Sequence, residues 1–147
     1  MLYPVAGIVA EYNPLHKGHL YHIKKARELC SAEAVAIVLS SDFVQRGEPA
    51  LLDKWTRAEA ALRCGVDLVI ELPVIFSSHN AGVFANAAVD ILAATGVVTH
   101  LSFGAENPDC LVDSIIDILL EEPEPFKLSL KKYLTAGFSY VEARARA

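Results

Sequence analysis

Short apolar runs alternate with longer amphipathic stretches along this chain. The runs at residues 5–10 and 34–39 are apolar at consecutive positions, which predicts strands that are buried on both faces. Residues 66–72 and 98–103 are predicted as a third and a fourth strand, although both runs include polar residues. The stretches between them carry apolar residues at helical spacing. Strands that alternate with helices predict an α/β fold with a doubly wound, mainly parallel sheet.

Local signals set the helix boundaries that we expect. Asp53 is predicted to cap a helix that ends near Cys64 and packs through Trp55, Ala58, Ala61 and Leu62. Ser77 or Ser78 is predicted to open a helix that ends before Gly96, and Asn107-Pro108 to open another.

The C-terminal part of the chain favours helices. The spacing predicts helices over residues 113–120 and 126–134, separated by a proline-containing break, and Ser139 with Glu142 forms a capping box that starts a third. We therefore expect an α/β domain over residues 1–120. Residues 121–147 would be a helical extension of the same domain, cut within a helix.

The turn after the first strand carries the most informative chemistry. Pro14 excludes helix and sheet pairing, so His16 and His19 fall at the start of the following helix. A helix N-terminus at the carboxyl end of a parallel strand favours phosphate binding. Gly18 would let a nucleotide approach the backbone. Two imidazole donors could stabilise charge that develops on a phosphoryl group.

Other interpretations of these histidines remain open. Two histidines near a helix start are commonly solvated surface groups. A zinc site would use His16, His19 and His22, but no nearby cysteine or acidic pair completes four ligands, so we expect no metal site.

Two later loops also contain candidate ligand-binding groups. Ser40, Ser41 and Arg46 follow the second strand and could hold phosphate or a small carboxylate; a solvated loop with an ordinary ion pair is the alternative. Gly104 follows the fourth strand, where bare backbone could accept an adenine or a ribose, although a turn also explains a glycine. Neither GxGxxG nor a Walker A sequence occurs.

Composition narrows the function further. The chain has 13 basic and 18 acidic residues, a net charge of −5, so we expect it not to bind a nucleic acid tightly by itself. Its three cysteines form no CxxC pair, which favours a cytoplasmic location. No apolar run approaches the ~18 residues of a membrane span, so we expect no membrane association.

The His16-Lys-Gly-His19 sequence resembles the HxGH signature of nucleotidyltransferases, and residues 9–22, 42–49, 53–59 and 137–144 are similar to tRNA(Met) cytidine acetate ligases. The resemblance implies a Rossmann-like fold of the HxGH nucleotidyltransferase type and catalysis by His16 and His19. It also implies an ATP site made of Val9, Ala10, Glu11, Tyr12, Asn13, Pro14, Leu15, His16, Lys17, Gly18, His19, Leu20, Tyr21, His22 and Gly104.

The resemblance further implies a reaction and its partners. ATP activates acetate to acetyl-adenylate, and the acetyl group passes to the wobble cytidine of elongator tRNA(Met). Lys17 and Arg46 would contact the outer phosphates, Mg²⁺ would be held mainly by the triphosphate, and tRNA would bind through a region mostly outside this chain. Two alternatives are an adenylyl- or cytidylyltransferase for a small phosphorylated metabolite, and a nucleotide-binding domain without turnover.

Overall fold

A computed structural model describes residues 3–104 and 112–147 of the chain, without the side chains of residues 112 and 113. The chain divides into two compact units, residues 1–104 and 105–147. This division lies earlier in the chain than the boundary expected at residue 120. That residues 121–147 extend the α/β domain stays a prediction.

The first unit contains a parallel sheet of four strands. Its elements are β1 (Val5–Ala10), α1 (Lys17–Leu29), β2 (Ala34–Ser40), α2 (Lys54–Arg63), β3 (Leu68–Leu72), α3 (Val74–Ser77), α4 (Ala81–Ala94) and β4 (His100–Ser102). The strand order is β3-β2-β1-β4, with every neighbouring pair parallel. The predicted α/β fold with a parallel sheet is therefore confirmed.

Helices cover both faces of this sheet. On one face, Ile23 and Ala26 of α1 and Ala61 of α2 pack with the buried side chains of β1 and β2. On the other face, Ala88 and Leu92 of α4 pack with residues of β1, β2 and β3. The sheet is thus doubly wound, as predicted, with β1 and β2 at its centre.

The direction in which the chain moves across the sheet reverses at β1. The crossovers β1–α1–β2 and β2–α2–β3 build outward on one side, whereas β4 returns to pair with the other side of β1. In open α/β sheets, ligands bind beyond the carboxyl ends of strands at such a reversal. The end of β1 is therefore the position in this fold that most favours a ligand site.

Two local expectations were wrong. Ser77 does not open the long helix but ends α3, and α4 begins after Asn80, whose Oδ1 accepts a hydrogen bond from the Val83 amide at 3.1 Å. In α2, Trp55 is 74% exposed, whereas Arg57 is 1% exposed. The side chain of Arg57 points inward because backbone carbonyls there accept its hydrogen bonds. The spacing of apolar residues along the sequence does not indicate such bonds.

The second unit consists of α5 (Val112–Glu121), α6 (Glu124–Thr135) and α7 (Tyr140–Arg146). Pro123 precedes α6 and Pro125 lies in its first turn, which confirms the predicted break. The capping box of Ser139 and Glu142 is also confirmed. The predicted helix start at Asn107-Pro108 lies outside the described residues. Across residues 3–104 and 112–147, none of the helices has the length and apolar character needed to cross a bilayer.

Gly7 provides a test of the packing between β1 and α4. A Cβ added at Gly7 would lie 2.8 Å from Val98 Cγ1 and 3.0 Å from Leu92 Cδ1, which is too close for a methyl group. We predict that Gly7→Ala lowers the free energy of unfolding by about 1–3 kcal/mol because of overpacking. Urea denaturation measures this change.

Gly82→Ala is the matched control, since Gly82 lies in α4 and a Cβ there makes only an ordinary contact at 3.4 Å. It is expected to leave stability unchanged or to raise it by up to about 1 kcal/mol. Equal effects of the two substitutions would contradict this description of the sheet packing.

Candidate functional site

A cleft of about 400 Å³ opens at the carboxyl end of β1. It lies at the point where the strand order reverses, and the first turn of α1 forms part of its wall. The lining residues are Ile8, Val9, Ala10, Glu11, Tyr12, Asn13, Pro14, His16, His19 and His22. Of the predicted nucleotide-binding set, Leu15, Lys17, Gly18, Leu20, Tyr21 and Gly104 are not among the lining residues.

His16 and His19 cap the start of α1 reciprocally. The Gly18 amide donates to His16 Nδ1 at 3.1 Å, and the His16 amide donates to His19 Nδ1 at 3.2 Å. The two rings stack with their centroids 3.7 Å apart and their planes 22° apart. This is a capping box in which histidines occupy the positions that Ser or Thr and Glu or Gln usually hold.

The cap determines the tautomer of both rings. A neutral imidazole has one N–H donor and one acceptor nitrogen, and in each ring Nδ1 is the acceptor. The proton of each neutral ring is therefore on Nε2. Burial lowers the pKa of His19, and charge on His16 or His22 lowers it further, which keeps this ring neutral at pH 7. The helix start thus carries two imidazole Nε2–H donors beside the cleft.

Gly18 has a packing role that the sequence did not reveal. We expected its missing Cβ to admit a nucleotide, but a Cβ there would lie 2.9 Å from His16 Cε1 and 3.1 Å from His16 Nδ1. The imidazole of His16 therefore folds back over Gly18 to reach the amide that it caps. A side chain at this position would force the His16 ring to shift from the place in which it caps the helix.

His22 connects the helix to the neighbouring strand. Its Nε2 forms a hydrogen bond of 3.0 Å with Ser102 Oγ, at the end of β4. Burial lowers the pKa of His22, so the ring stays neutral near physiological pH. This contact joins α1 to β4 through a histidine that lines the cleft. Ser102 was not predicted as a site residue, because only the sheet topology brings it close to α1.

Tyr12 supports His19 from the core. Its side chain is 3% exposed, and its ring centroid lies 4.8 Å from that of His19. Burial raises the pKa of the Tyr12 phenol to about 12, with a smaller contribution from Cys64. Its backbone has a φ of 45°, which is costly for a bulky residue and persists only when surrounding contacts enforce it. The turn is thus held in one conformation under the histidine pair.

Two side chains of this turn bind the loop at residues 41–53. Glu11 Oε1 accepts a hydrogen bond from the Gln45 amide, and Asn13 Oδ1 accepts one from the Leu51 amide, both at 2.6 Å. Sequence reasoning assigned Glu11 and Asn13 to nucleotide binding, and that role stays a prediction. In the structure they fasten the loop that follows β2 to the turn that follows β1.

The candidate contacts for phosphate or acetate occupy different environments. Ser40 and Ser41 are 0% and 4% exposed, and neither lines the cleft. Ser40 Oγ accepts a hydrogen bond from Arg57 Nη1 at 3.1 Å, and Ser41 Oγ lies 3.4 Å from Ser77 Oγ. Arg46 is exposed on the loop. Contacts of these residues with a substrate stay predictions.

A family model described as HIGH Nucleotidyl Transferase matches residues 3–147. The tRNA(Met) cytidine acetate ligase of Clostridium acetobutylicum is 48% identical over 144 residues, which are 97% of this chain and 36% of the relative. The ligase of the same name from Syntrophomonas wolfei is 51% identical and is covered to 35%.

Solved structures of a similar protein also match this chain. The crystal structure of Thermotoga maritima TmcAL bound with alpha-thio ATP matches with a TM-score of 0.90 and 49% identity, over 96% of this chain and 34% of the other. The apo structure of that protein matches with a TM-score of 0.87. The chain thus spans about a third of the length of the relatives that it matches. Because the family model covers nearly every residue, the chain belongs to the HIGH nucleotidyl transferase family.

Proposed function

We propose that this chain binds ATP in the cleft at the end of β1 and supports the activation of acetate to acetyl-adenylate. The N4 amino group of the wobble cytidine of elongator tRNA(Met) then attacks the acetyl carbonyl, the acyl–phosphate bond breaks, and AMP leaves as the amine loses a proton. The observation that carries the proposal is the reciprocal cap, which presents two imidazole Nε2–H donors at a helix N-terminus. The names of the relatives and the alpha-thio ATP bound to T. maritima TmcAL support the same reaction class.

The start of α1 suits a phosphate for two reasons. A helix N-terminus begins with amides that lack an acceptor four residues earlier, and the helix dipole places partial positive charge there. In α1 the Gly18 amide donates to His16 Nδ1 and the His19 amide donates to the His16 carbonyl at 2.9 Å, so the attraction for an anion comes mainly from the dipole and the imidazoles. The N-terminus and the two imidazoles together favour an anion with several oxygens, such as the α-phosphate of ATP.

The proposed chemical step is an in-line displacement. A carboxylate oxygen of acetate forms a bond to the α-phosphorus as the bond to the β-phosphate oxygen breaks, and pyrophosphate leaves with that electron pair. Negative charge on the oxygens around the α-phosphorus then interacts with the Nε2–H donors of His16 and His19. Neither histidine transfers a proton in this step, so neutral donors of fixed tautomer are sufficient.

The outer phosphates require further cations. Lys17 is exposed at the first position of α1, and Arg46 is exposed on the loop after β2, so both side chains can extend toward a bound triphosphate. Mg²⁺ would arrive on the triphosphate and neutralise part of its charge. We expect this ion to be bound mainly by phosphate oxygens. Among the side chains that the structure describes, no group of three or more histidine, cysteine or acidic residues is placed to hold a metal.

The tRNA partner requires more than this chain. With a net charge of −5, the chain lacks the cationic excess that drives nucleic-acid affinity. The curated relatives are about three times longer than the matched region. We therefore assign nucleotide and acetate binding to this chain, and most of the tRNA affinity to other parts of the longer proteins.

Removal of both imidazoles tests the phosphate site. We predict that His16→Ala/His19→Ala raises the Kd for Mg-ATP at least about tenfold, because hydrogen bonds to a charged phosphate are lost. Calorimetric titration of Mg-ATP into the chain measures this change. His100→Ala is the matched control: His100 begins β4 at the opposite end of the strand from the cleft, and this variant should bind like the unaltered chain.

The acceptor is tested by pyrophosphate exchange into ATP. Exchange that depends on acetate supports acetyl-adenylate formation, whereas exchange that depends on a phosphorylated metabolite indicates a different nucleotidyltransferase. Mg-ATP binding without exchange for any acceptor would identify a binding domain without turnover. A folded chain that does not bind Mg-ATP would contradict the proposed site.

Gly18→Ala tests the link between the glycine and the cap. The added Cβ displaces the His16 ring, so we predict a rise in the Kd for Mg-ATP similar to that of His16→Ala, about tenfold. Adding Gly18→Ala to His16→Ala should then cause little further loss, since the two changes remove the same interaction. Fully additive effects would show that Gly18 acts independently of His16.

A further inference from the structure

Arg57 is the most buried charged side chain of the first unit. It lies on α2 with 1% of its surface exposed, and hydrogen bonds account for all three of its guanidinium nitrogens. Nε donates to the Leu52 carbonyl at 2.9 Å, and Nη1 donates to the Glu11 carbonyl at 2.7 Å. Nη1 also donates to Ser40 Oγ, and Nη2 donates to the Ser41 carbonyl.

These acceptors belong to three different segments. Glu11 begins the turn that lines the cleft, Ser40 ends β2 with Ser41 directly after it, and Leu52 ends the loop before α2. A planar guanidinium directs its donors in fixed directions, so it orients several acceptors at once. Arg57 therefore fixes the positions of the two strand ends relative to the loop between β2 and α2.

Among the residues that the structure describes, no carboxylate lies within salt-bridge distance of Arg57. Burial lowers its pKa, while the charges of Asp42, Glu11 and Asp53 act in the opposite direction. An arginine stays protonated under these conditions, so a buried positive charge lies directly beneath the turn at Glu11.

We propose that Arg57 is a positioning residue of the nucleotide site, which acts through the carbonyls of Glu11 and Ser41 and the hydroxyl of Ser40. The inference rests on the proposed function and assigns no contact between Arg57 and the substrate. By holding the Glu11 carbonyl, Arg57 sets the course of the turn that supports His19. By holding Ser40 and Ser41, it sets the start of the loop that Glu11 and Asn13 fasten in turn.

A purely structural role predicts a different result. If Arg57 only supported α2, its replacement would destabilise the whole unit and loosen every element in parallel. If it positions the turn and the loop, the Gln45 and Leu51 amides respond first, since they donate to Glu11 Oε1 and Asn13 Oδ1. Hydrogen exchange at single amides separates these cases, because it reports local opening apart from global unfolding.

The test compares Arg57→Lys with Arg63→Met. Lysine keeps the positive charge but cannot reproduce the guanidinium fork. Arg63 is the matched control on the same helix, with a side chain that is 77% exposed and paired with Glu59. Arg57→Met is a second variant, which removes the charge as well. Exchange of the Gln45 and Leu51 amides and the Kd for Mg-ATP are measured for each.

For Arg57→Lys we expect exchange of these two amides to accelerate about tenfold, with β2 amides changed by less than about twofold. The Kd for Mg-ATP should rise about tenfold as well, and Arg57→Met should show at least the same changes. Arg63→Met should change neither. Parallel acceleration throughout β2, or failure of Arg57→Lys to fold, would overturn the proposal in favour of a structural role.

The outcomes also distinguish this inference from the proposed function. If the unaltered chain binds Mg-ATP and Arg57→Lys binds it equally well, the positioning role is wrong and the proposed function stands. If the folded, unaltered chain does not bind Mg-ATP, the proposed function is wrong. The role of Arg57 in positioning a nucleotide site is then wrong as well, whatever the exchange rates of the Gln45 and Leu51 amides are.

Discussion

The reciprocal cap between His16 and His19 controls the chemistry at the start of α1. Each ring uses Nδ1 to accept a backbone amide, so each neutral ring carries its proton on Nε2. A capping box normally stabilises only the helix. Here the same two hydrogen bonds also prepare two donors of defined tautomer beside the cleft. A second proton on either ring would occupy Nδ1 and break the cap, which ties the charge state of the histidines to helix geometry.

The surrounding structure maintains this arrangement from several directions. Gly18 leaves room for the His16 ring, and Tyr12 packs against His19 from the core. His22 binds Ser102 across the point where the strand order reverses. Arg57 lies beneath the turn and connects it to the end of β2. Rigid support of this kind favours electrostatic stabilisation of a reacting phosphate, because the donors need no reorganisation when charge develops.

The sequence predicted the strands and the turn at which the cleft lies, because both depend on short-range signals. Consecutive apolar residues mark β1 and β2, and Pro14 before His16 marks the turn. The inward orientation of Arg57 could not be predicted, because its partners at Glu11, Ser40 and Ser41 are distant in the sequence. The role of Gly18 was likewise hidden, since it depends on the rotamer of His16. Ser40 and Ser41, whose substrate contacts stay predictions, are buried and form hydrogen bonds with Arg57 and Ser77 that the sequence did not indicate.

Nitrogen-15 NMR of the histidine side chains tests the central claim most directly, because it reports which ring nitrogen carries the proton. At pH 7.5 the account predicts the Nε2–H tautomer for both His16 and His19, with Nδ1 unprotonated and accepting a hydrogen bond. On acidification, His19 should acquire its second proton at a pH below its ordinary value of 6.5, since burial lowers its pKa. An Nδ1–H tautomer for either ring at pH 7.5, or a His19 ring that is already doubly protonated there, would contradict the account.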